Sequence, residues 1–172
     1  MNTLYYLSYG SNLHPFRLIQ RVPSASLIGT TELTNTKILF HKRGMDGSGK
    51  CMILRDDANK PIAYGALFEI DQKEEVLLDR VEGCGKGYNK QLVQCLVDEA
   101  EYPAFTYVAA SEAIDASLKP YHWYKELVLA GACHHQFPEH YISDFENLES
   151  IQDPDDERRL LNEGILERIK TF

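Results

Sequence analysis

The chain has 172 residues, of which 44% are hydrophobic and 10% aromatic, and its formal net charge is −8. This length and apolar content are typical of one domain that buries its own core, and they argue against a disordered chain. The negative charge and the scattered Lys and Arg argue against a nucleic-acid-binding surface, because phosphate backbones require clustered basic side chains.

The sequence also predicts where the protein resides. Its first residues lack the basic region and apolar stretch of a secretion signal, and no apolar run reaches the roughly 18 residues that a membrane helix requires. The cysteines show neither a CxxC nor another metal spacing; they are Cys51, Cys84, Cys95 and Cys133. We therefore expect a cytoplasmic protein with reduced cysteines, and neither nucleic acid nor membrane as a partner.

The N-terminal segment predicts a strand, a turn and a short helix. Residues 3–8 are rich in β-branched and aromatic side chains, and a glycine-containing turn follows them. Ser11 and Asn12 are both favourable N-cap residues, so a helix is predicted over residues 13–20.

The central part of the chain predicts several short strands and one amphipathic helix. The strands cover residues 25–29, 37–41, 51–54 and 61–70, with a flexible Gly-rich loop at 43–49. Asp71 begins a helix, with Glu74 at the spacing of a capping box and Gly83 as its C-terminal residue. The buried face of this helix is predicted to contain Val76, Leu77, Leu78 and Val81.

The last part predicts two strands followed by helices. The strands cover residues 88–97 and 104–109, and the helices cover residues 121–132, 138–148 and 153–170, the last beginning at Asp153 and Pro154. Strands that come first and helices that are concentrated at the end favour an α+β fold. We predict a single domain over residues 1–172. It contains a small, mixed and strongly curved β-sheet or barrel flanked by helices, with residues 153–170 as an added C-terminal helix.

Two short segments contain candidate functional residues. The turn at residues 9–12 can point successive backbone N–H groups toward a carboxylate or an oxyanion, although a plain strand-to-helix connection has the same pattern. Glu82 lies at a helix C-terminus, where a negative charge is unfavourable, and next to apolar residues. A carboxyl group in such surroundings has a raised pKa, which suits a general base. A surface Glu before a turn is the alternative interpretation.

Other chemistries find little support in the sequence. His134, His135 and His140 lack the spacing of a zinc site, and no nucleotide-binding glycine motif occurs. Ser11 is not part of a GxSxG motif, and no cysteine has the context of a protease nucleophile. We therefore predict neither a metal nor a cofactor.

Taken in order, the motifs resemble those of the γ-glutamylcyclotransferase family, which has the AIG2- and BtrG-like fold. They are the YLSYGSNL segment that begins at Tyr6, with Arg17-Leu18 after it, the LDRVEG segment that begins at Leu78, Tyr88, Tyr124-Lys125, Gly131-Ala132, and Pro138 with Tyr141. The resemblance covers residues 4–148, and the order and spacing of the motifs make it specific.

The resemblance implies one pocket and a reaction without metal or cofactor. The glutamyl head group is then bound, through backbone amides, by Tyr9, Gly10, Ser11 and Asn12. Glu82 becomes the general acid and base at the reacting amine, and Tyr88 and Tyr124 match tyrosines that line or close the pocket. The implied reaction cyclises a γ-glutamyl amino acid or related amide to 5-oxoproline and releases the amine. Asn12 in the tetrapeptide favours γ-glutamyl amino acids or peptides as substrates.

Two alternatives remain open at this point. One is a non-catalytic module that binds a γ-glutamyl or 5-oxoproline-like carboxylate. The other is an enzyme that removes a γ-glutamyl group from a larger carrier or metabolite. The identity of the leaving amine and the oligomeric state are not predicted from the sequence.

Overall fold

The computed structural model describes residues 2–172 and contains strands and helices in a mixed order. The strands are β1 (Thr3–Ser8), β2 (Ser26–Thr34), β3 (Thr36–Arg43), β4 (Gly49–Arg55), β5 (Ile62–Asp71), β6 (Tyr88–Val97) and β7 (Ala100–Ala109). The helices are α1 (Pro15–Ile19), α2 (Glu75–Glu82), α3 (His122–His134), α4 (Glu139–Glu146) and α5 (Asp156–Ile169). The predicted order of elements is therefore confirmed, while several boundaries differ.

Five strands form one sheet in the order β2-β5-β1-β7-β6, and β3 and β4 form a separate hairpin. β1 pairs in parallel with β7, and the other neighbours in the sheet are antiparallel. The edge strands β2 and β6 approach each other, as a shared apolar cluster shows. In this cluster, Ile28 and Leu33 of β2 pack with Cys95 and Val97 of β6. The sheet is mixed and curls into a half-barrel, which confirms the predicted α+β class.

The two faces of β1 belong to different parts of the core. Leu7 packs in the cluster inside the curl of the sheet, whereas Tyr6 belongs to the larger cluster that includes Leu127 and Val128 of α3. Because side chains alternate along a strand, Tyr6 and Ser8 share the face that lies toward the helices. The candidate site described below lies on this face.

The first helix begins later than predicted. It starts at Pro15, and its N-cap is His14, whose Nδ1 accepts a hydrogen bond of 3.2 Å from the N–H of Phe16. The prediction that Ser11 or Asn12 caps this helix is wrong. Both residues belong to the preceding turn, which leaves the Asn12 side chain available for contacts elsewhere.

The capping box predicted for the helix after β5 is also wrong. Asp71 accepts a hydrogen bond from the N–H of Lys73, but this caps a short 3-10 turn that precedes α2. Glu74 instead accepts hydrogen bonds of 2.9 and 2.6 Å from the backbone N–H and the hydroxyl of Ser24. A tertiary contact thus takes the carboxylate that the local pattern assigned to the cap.

α2 buries less of its apolar surface than predicted. Leu78 is fully buried, whereas Val76 and Val81 are 56% and 43% exposed. The predicted end of the helix is confirmed, because Gly83 has a φ of 65° and forms a left-handed C-terminal cap. This cap ends the helix directly after Glu82.

The Gly-rich segment after β3 and the start of the last helix differ from expectation. The predicted loop at 43–49 is a tight turn, closed by a 2.8 Å hydrogen bond from Gly44 N–H to the Ser48 carbonyl. α5 begins at Asp156, with Asp155 as its cap, and not at Asp153. Asp153 is buried, and its carboxylate accepts hydrogen bonds from Trp123 Nε1 at 2.8 Å and from Arg158 Nε at 2.7 Å.

Candidate active site

The residues singled out in the sequence surround one cavity, here called the inner cavity. They are Tyr9, Gly10, Ser11, Asn12, Glu82, Tyr88 and Tyr124. The other residues around it were not singled out; they are Tyr6, Ser8, Cys51, Thr106 and Tyr107. Segments that lie far apart in the chain thus meet at one place.

The turn after β1 closes against the hairpin of β3 and β4. The N–H of Leu13 donates a 3.0 Å hydrogen bond to the Gly10 carbonyl, so this closure does not use the N–H groups of Ser11 and Asn12. A Cβ on Gly10 would lie 3.1 Å from Cys51 Cβ, which is closer than ordinary packing allows. Glycine therefore lets the turn approach β4 and form one wall of the inner cavity.

Asn12 connects the turn to Glu82 through its side chain. Its Nδ2 donates hydrogen bonds to Glu82 Oε1 at 2.8 Å and to the hydroxyl oxygen of Tyr6 at 3.2 Å. Its Oδ1 accepts a hydrogen bond of 2.7 Å from Arg21 Nη1. Asn12 is only 2% exposed, and these contacts use both ends of its amide. Asn12 therefore holds the Glu82 carboxylate in place.

Glu82 lies inside the site and not on the open surface. Its side chain is 18% exposed, and Arg21 Nη1 lies 3.9 Å from its Oε1. Burial raises the pKa of Glu82 above its ordinary value; the charges of Arg21 and Lys42 and the hydrogen bond from Asn12 offset part of this rise. The position at the end of α2 works in the same direction, since helix C-terminal carbonyls disfavour a negative charge. Such a carboxylate accepts a proton more readily than one in water.

Tyr107 of β7 connects the turn at residues 9–12 to α2. Its hydroxyl donates a 2.6 Å hydrogen bond to Asp79 Oδ1 on α2, one turn before Glu82. Its backbone carbonyl accepts a hydrogen bond from the Tyr9 hydroxyl. Asp79 also receives a 3.1 Å hydrogen bond from Lys90 of β6. These contacts fix α2, and hence Glu82, relative to the turn.

The remaining wall consists of neutral groups. The Tyr88 hydroxyl donates to the Cys51 carbonyl, and the Cys51 N–H donates to the Tyr124 hydroxyl at 3.1 Å. Burial raises the pKa of both tyrosines well above 10, so both stay protonated at neutral pH. Burial also raises the pKa of the Cys51 thiol, so it is not a reactive thiolate. These groups can shape and hydrogen-bond a ligand without taking its proton.

A larger cavity, here called the vestibule, adjoins the inner cavity and shares Ser11, Glu82, Tyr88 and Tyr124 with it. Its basic side chains are Arg17, Arg21, Lys42, Lys50 and Lys86. The sequence analysis did not identify this group, because its members come from separate segments and nothing in their spacing relates them. The sequence did contain one signal for this basic group, the pair Arg17 and Arg21, which lie four positions apart just after the turn.

The histidines lie outside both cavities. The rings of His14 and His134 have centroids 4.4 Å apart, and a ring nitrogen of His135 lies 2.8 Å from the Leu13 carbonyl oxygen. Within residues 2–172, no group of three or more His, Cys, Asp and Glu side chains is arranged to hold a metal ion. In the same range, no helix is both long and apolar enough to cross a membrane.

Comparisons with known proteins bear on the fold. Residues 63–145 match a model of the AIG2-like family. No curated protein matches the sequence. A solved structure of a γ-glutamyl cyclotransferase has a TM-score of 0.81 at 21% identity, over 97% of this chain and 99% of that chain.

Two further structures are similar. An uncharacterized protein from Homo sapiens has a TM-score of 0.80 at 22% identity, over 97% of this chain and 99% of that chain. YkqA from Bacillus subtilis has a TM-score of 0.72 at 18% identity, over 88% of this chain and 57% of that chain. The chain thus has the γ-glutamyl cyclotransferase fold, and at that level the resemblance seen in the sequence is confirmed. The segment that matches the AIG2-like family includes α2 and Glu82.

Proposed function

We propose that the protein is a γ-glutamylcyclotransferase that converts a γ-glutamyl amide to 5-oxoproline and a free amine. The observation that carries the proposal is the pairing of Glu82 with the turn at residues 9–12 around one cavity, with Asn12 Nδ2 only 2.8 Å from Glu82 Oε1. A buried carboxylate beside backbone N–H groups that do not close the turn suits a substrate that has both an ammonium and a carboxylate.

Glu82 acts as base and then as acid. The carboxylate takes a proton from the substrate's α-ammonium, and the freed nitrogen attacks the substrate's own γ-carbonyl carbon. When the tetrahedral intermediate collapses, the bond from the γ-carbon to the leaving nitrogen breaks, and Glu82 gives its proton to that nitrogen. The Glu82 carboxylate, ionised again, then takes the second proton from the ring nitrogen and passes it to the released amine, so the products are the neutral lactam and an ammonium. The raised pKa of Glu82 favours these transfers, because an acid–base group works best near the operating pH.

The turn orients the substrate. The N–H groups of Ser11 and Asn12 are free of the bond that closes the turn, and they hold the α-carboxylate of the glutamyl group. Ring closure is intramolecular, so a pocket that folds the chain into attack geometry can lower the barrier by about 7 kcal/mol or more. The neutral hydroxyls of Tyr88 and Tyr124 bound the space in which the chain folds.

The test is release of 5-oxoproline from a γ-glutamyl amino acid by wild-type protein and Glu82→Gln. We expect the variant to lose activity by about 10²- to 10⁴-fold while its circular dichroism and thermal unfolding stay native. Undiminished turnover by a folded Glu82→Gln protein would remove Glu82 from the mechanism.

The same assay addresses the alternatives. Binding of the γ-glutamyl amino acid by calorimetry, without 5-oxoproline after long incubation, would favour a non-catalytic binding module. Glutathione, γ-glutamyl-ε-lysine and a larger γ-glutamyl metabolite complete the panel, because they share the glutamyl group and differ in the leaving amine.

A further inference from the structure

The vestibule is basic although the protein is acidic. It contains five cationic side chains, whereas its acidic side chains are Asp46 and Glu82. The whole chain has a net charge of −8, so this local excess is opposite in sign to the rest of the molecule. A cleft with walls of one charge raises the local concentration of ligands of opposite charge.

Two of the five cations already have anionic partners. Lys50 Nζ lies 2.7 Å from Asp46 Oδ2, and Arg21 lies 3.9 Å from Glu82 while it donates to Asn12. The other three form no ion pair with a carboxylate in the described range 2–172; they are Arg17, Lys42 and Lys86.

Two of these three cations are buried. Arg17 is 9% exposed, and its Nε has no hydrogen-bond partner in the part of the chain that the structure describes. Lys42 is 5% exposed, and its Nζ lies 4.3 Å from the centroid of the Tyr88 ring. A buried charge without a counter-charge is costly, and an anionic ligand would offset that cost. The vestibule therefore has the character of an anion-binding site.

Its position relates it to the reaction. Under the proposed function, the γ-glutamyl group cyclises in the inner cavity, and the bond that breaks lies beside Glu82. Glu82 belongs to both cavities, so the leaving amine extends from it into the vestibule. The vestibule is the larger of the two cavities.

We propose, on the basis of that function, that the preferred substrates are γ-glutamyl amides whose leaving amine carries at least two anionic groups. Dicarboxylic amino acids, short acidic peptides and phosphorylated amino acids share this chemistry. An ordinary amino acid brings one carboxylate and leaves at least one of the three unpaired cations without a partner. Lysine linked through its ε-nitrogen carries a free α-ammonium beside its carboxylate, so its net charge is zero and the ammonium is repelled by the cations.

The experiment compares γ-glutamyl-glutamate with γ-glutamyl-glutamine, which have nearly the same shape and differ by one charge. We expect kcat/KM to be about tenfold higher for the glutamate conjugate, as for one added charge-assisted hydrogen bond. The ratio should fall in 0.5 M NaCl, since salt screens charges at a solvent-connected site. γ-Glutamyl-O-phosphoserine tests phosphate against carboxylate, and γ-glutamyl-ε-lysine should be the poorest substrate.

Two variants connect the preference to the vestibule. Lys86→Gln removes an exposed cation from its rim, and Lys42→Gln removes a buried one. Both should lower the glutamate-to-glutamine ratio. Lys73→Gln is the matched control, because Lys73 is exposed and lies outside the vestibule, and it should keep the wild-type ratio.

The outcomes separate the two proposals. Equal kcat/KM for the two conjugates, or a ratio that neither vestibule variant changes, would overturn the anionic preference and leave the cyclotransferase assignment intact. Absence of 5-oxoproline from every conjugate would overturn the assignment and the preference with it.

Discussion

The inner cavity and the vestibule meet at Glu82, yet their polar groups are used in opposite ways. In the inner cavity, Asn12 has contacts at both ends of its amide, and the hydroxyls of Tyr88 and Tyr124 both take part in hydrogen bonds. In the vestibule, cations are left without anionic partners. The first arrangement fixes reacting groups before a ligand arrives, and the second is completed by the ligand. Chemistry and substrate choice can therefore be perturbed separately.

The largest expected effect in the inner cavity, after loss of Glu82 itself, comes from Asn12→Ala. This change removes the donor to Glu82 and the acceptor for Arg21. We expect kcat/KM to fall about 100-fold, or about 2.7 kcal/mol. The hydrogen bond from Asn12 lowers the pKa of Glu82, so its loss should shift the acidic limb of the pH–rate profile to higher pH.

The control for this prediction is Asn89→Ala, at an exposed position of β6. It should keep both the rate and the profile of the wild type. A reduced rate in Asn12→Ala with an unshifted acidic limb would mean that Asn12 supports the fold and does not act through Glu82.

Asp153→Asn perturbs the residue that binds Trp123, and Trp123 lines the vestibule. The carboxylate accepts hydrogen bonds from Trp123 and Arg158, and the residue is 2% exposed. An amide cannot accept all of them, so we expect a loss of about 2 kcal/mol in the free energy of unfolding, measured with urea. Asp156→Asn, on an exposed side chain of the same segment, should cost less than about 1 kcal/mol. Equal losses in the two variants would contradict the prediction.

Tyr107→Phe tests the link between the turn at residues 9–12 and α2. It removes the hydroxyl that bonds Asp79 and keeps the ring, so we expect a loss of about 1 kcal/mol in the free energy of unfolding. The rate should fall as well, because α2 positions Glu82. Tyr102→Phe on the same strand keeps Asp79 bonded and serves as the control. A destabilised Tyr107→Phe protein with wild-type kcat would show that the link stabilises the fold only.

The smallest effect concerns stability and pH at Glu82. Burial raises its folded-state pKa above the ordinary value of 4.5, so its contribution to stability is full below that value and is lost as the pH rises through the folded pKa. A glutamine side chain does not ionise, so the Glu82→Gln protein does not lose stability in this way. Relative to wild type, the variant should therefore gain unfolding free energy as the pH rises from 4 to 7. A relative loss over that interval would show that the ionised form is stabilised by its neighbours.

Part of the inner cavity was predictable from the sequence, because some of its residues lie in short motifs whose order resembles a known family. Glu82 and the turn at residues 9–12 were identified on that basis, and they do line one cavity. The vestibule was not predictable, because Lys42 and Lys86 come from a strand and a loop with no distinguishing pattern. Only the fold brings these charges together.

The errors in the helix starts have a common physical cause. Glu74 and Asp153 both fit local capping patterns, but each bonds a distant residue, Ser24 and Trp123 respectively. A carboxylate that can cap a helix can equally satisfy a donor from another segment. The sequence pattern does not tell which partner prevails.

The C-terminal helix has a consequence for how the vestibule can change in evolution. Asn162 of α5 lies 3.5 Å from Arg17, and Arg158 binds the carboxylate that holds Trp123. Arg17 and Trp123, which line the vestibule, therefore depend on contacts with a segment remote from Glu82. Under the proposed function, mutations along this tail can alter which amine is accepted while the residues of proton transfer stay unchanged.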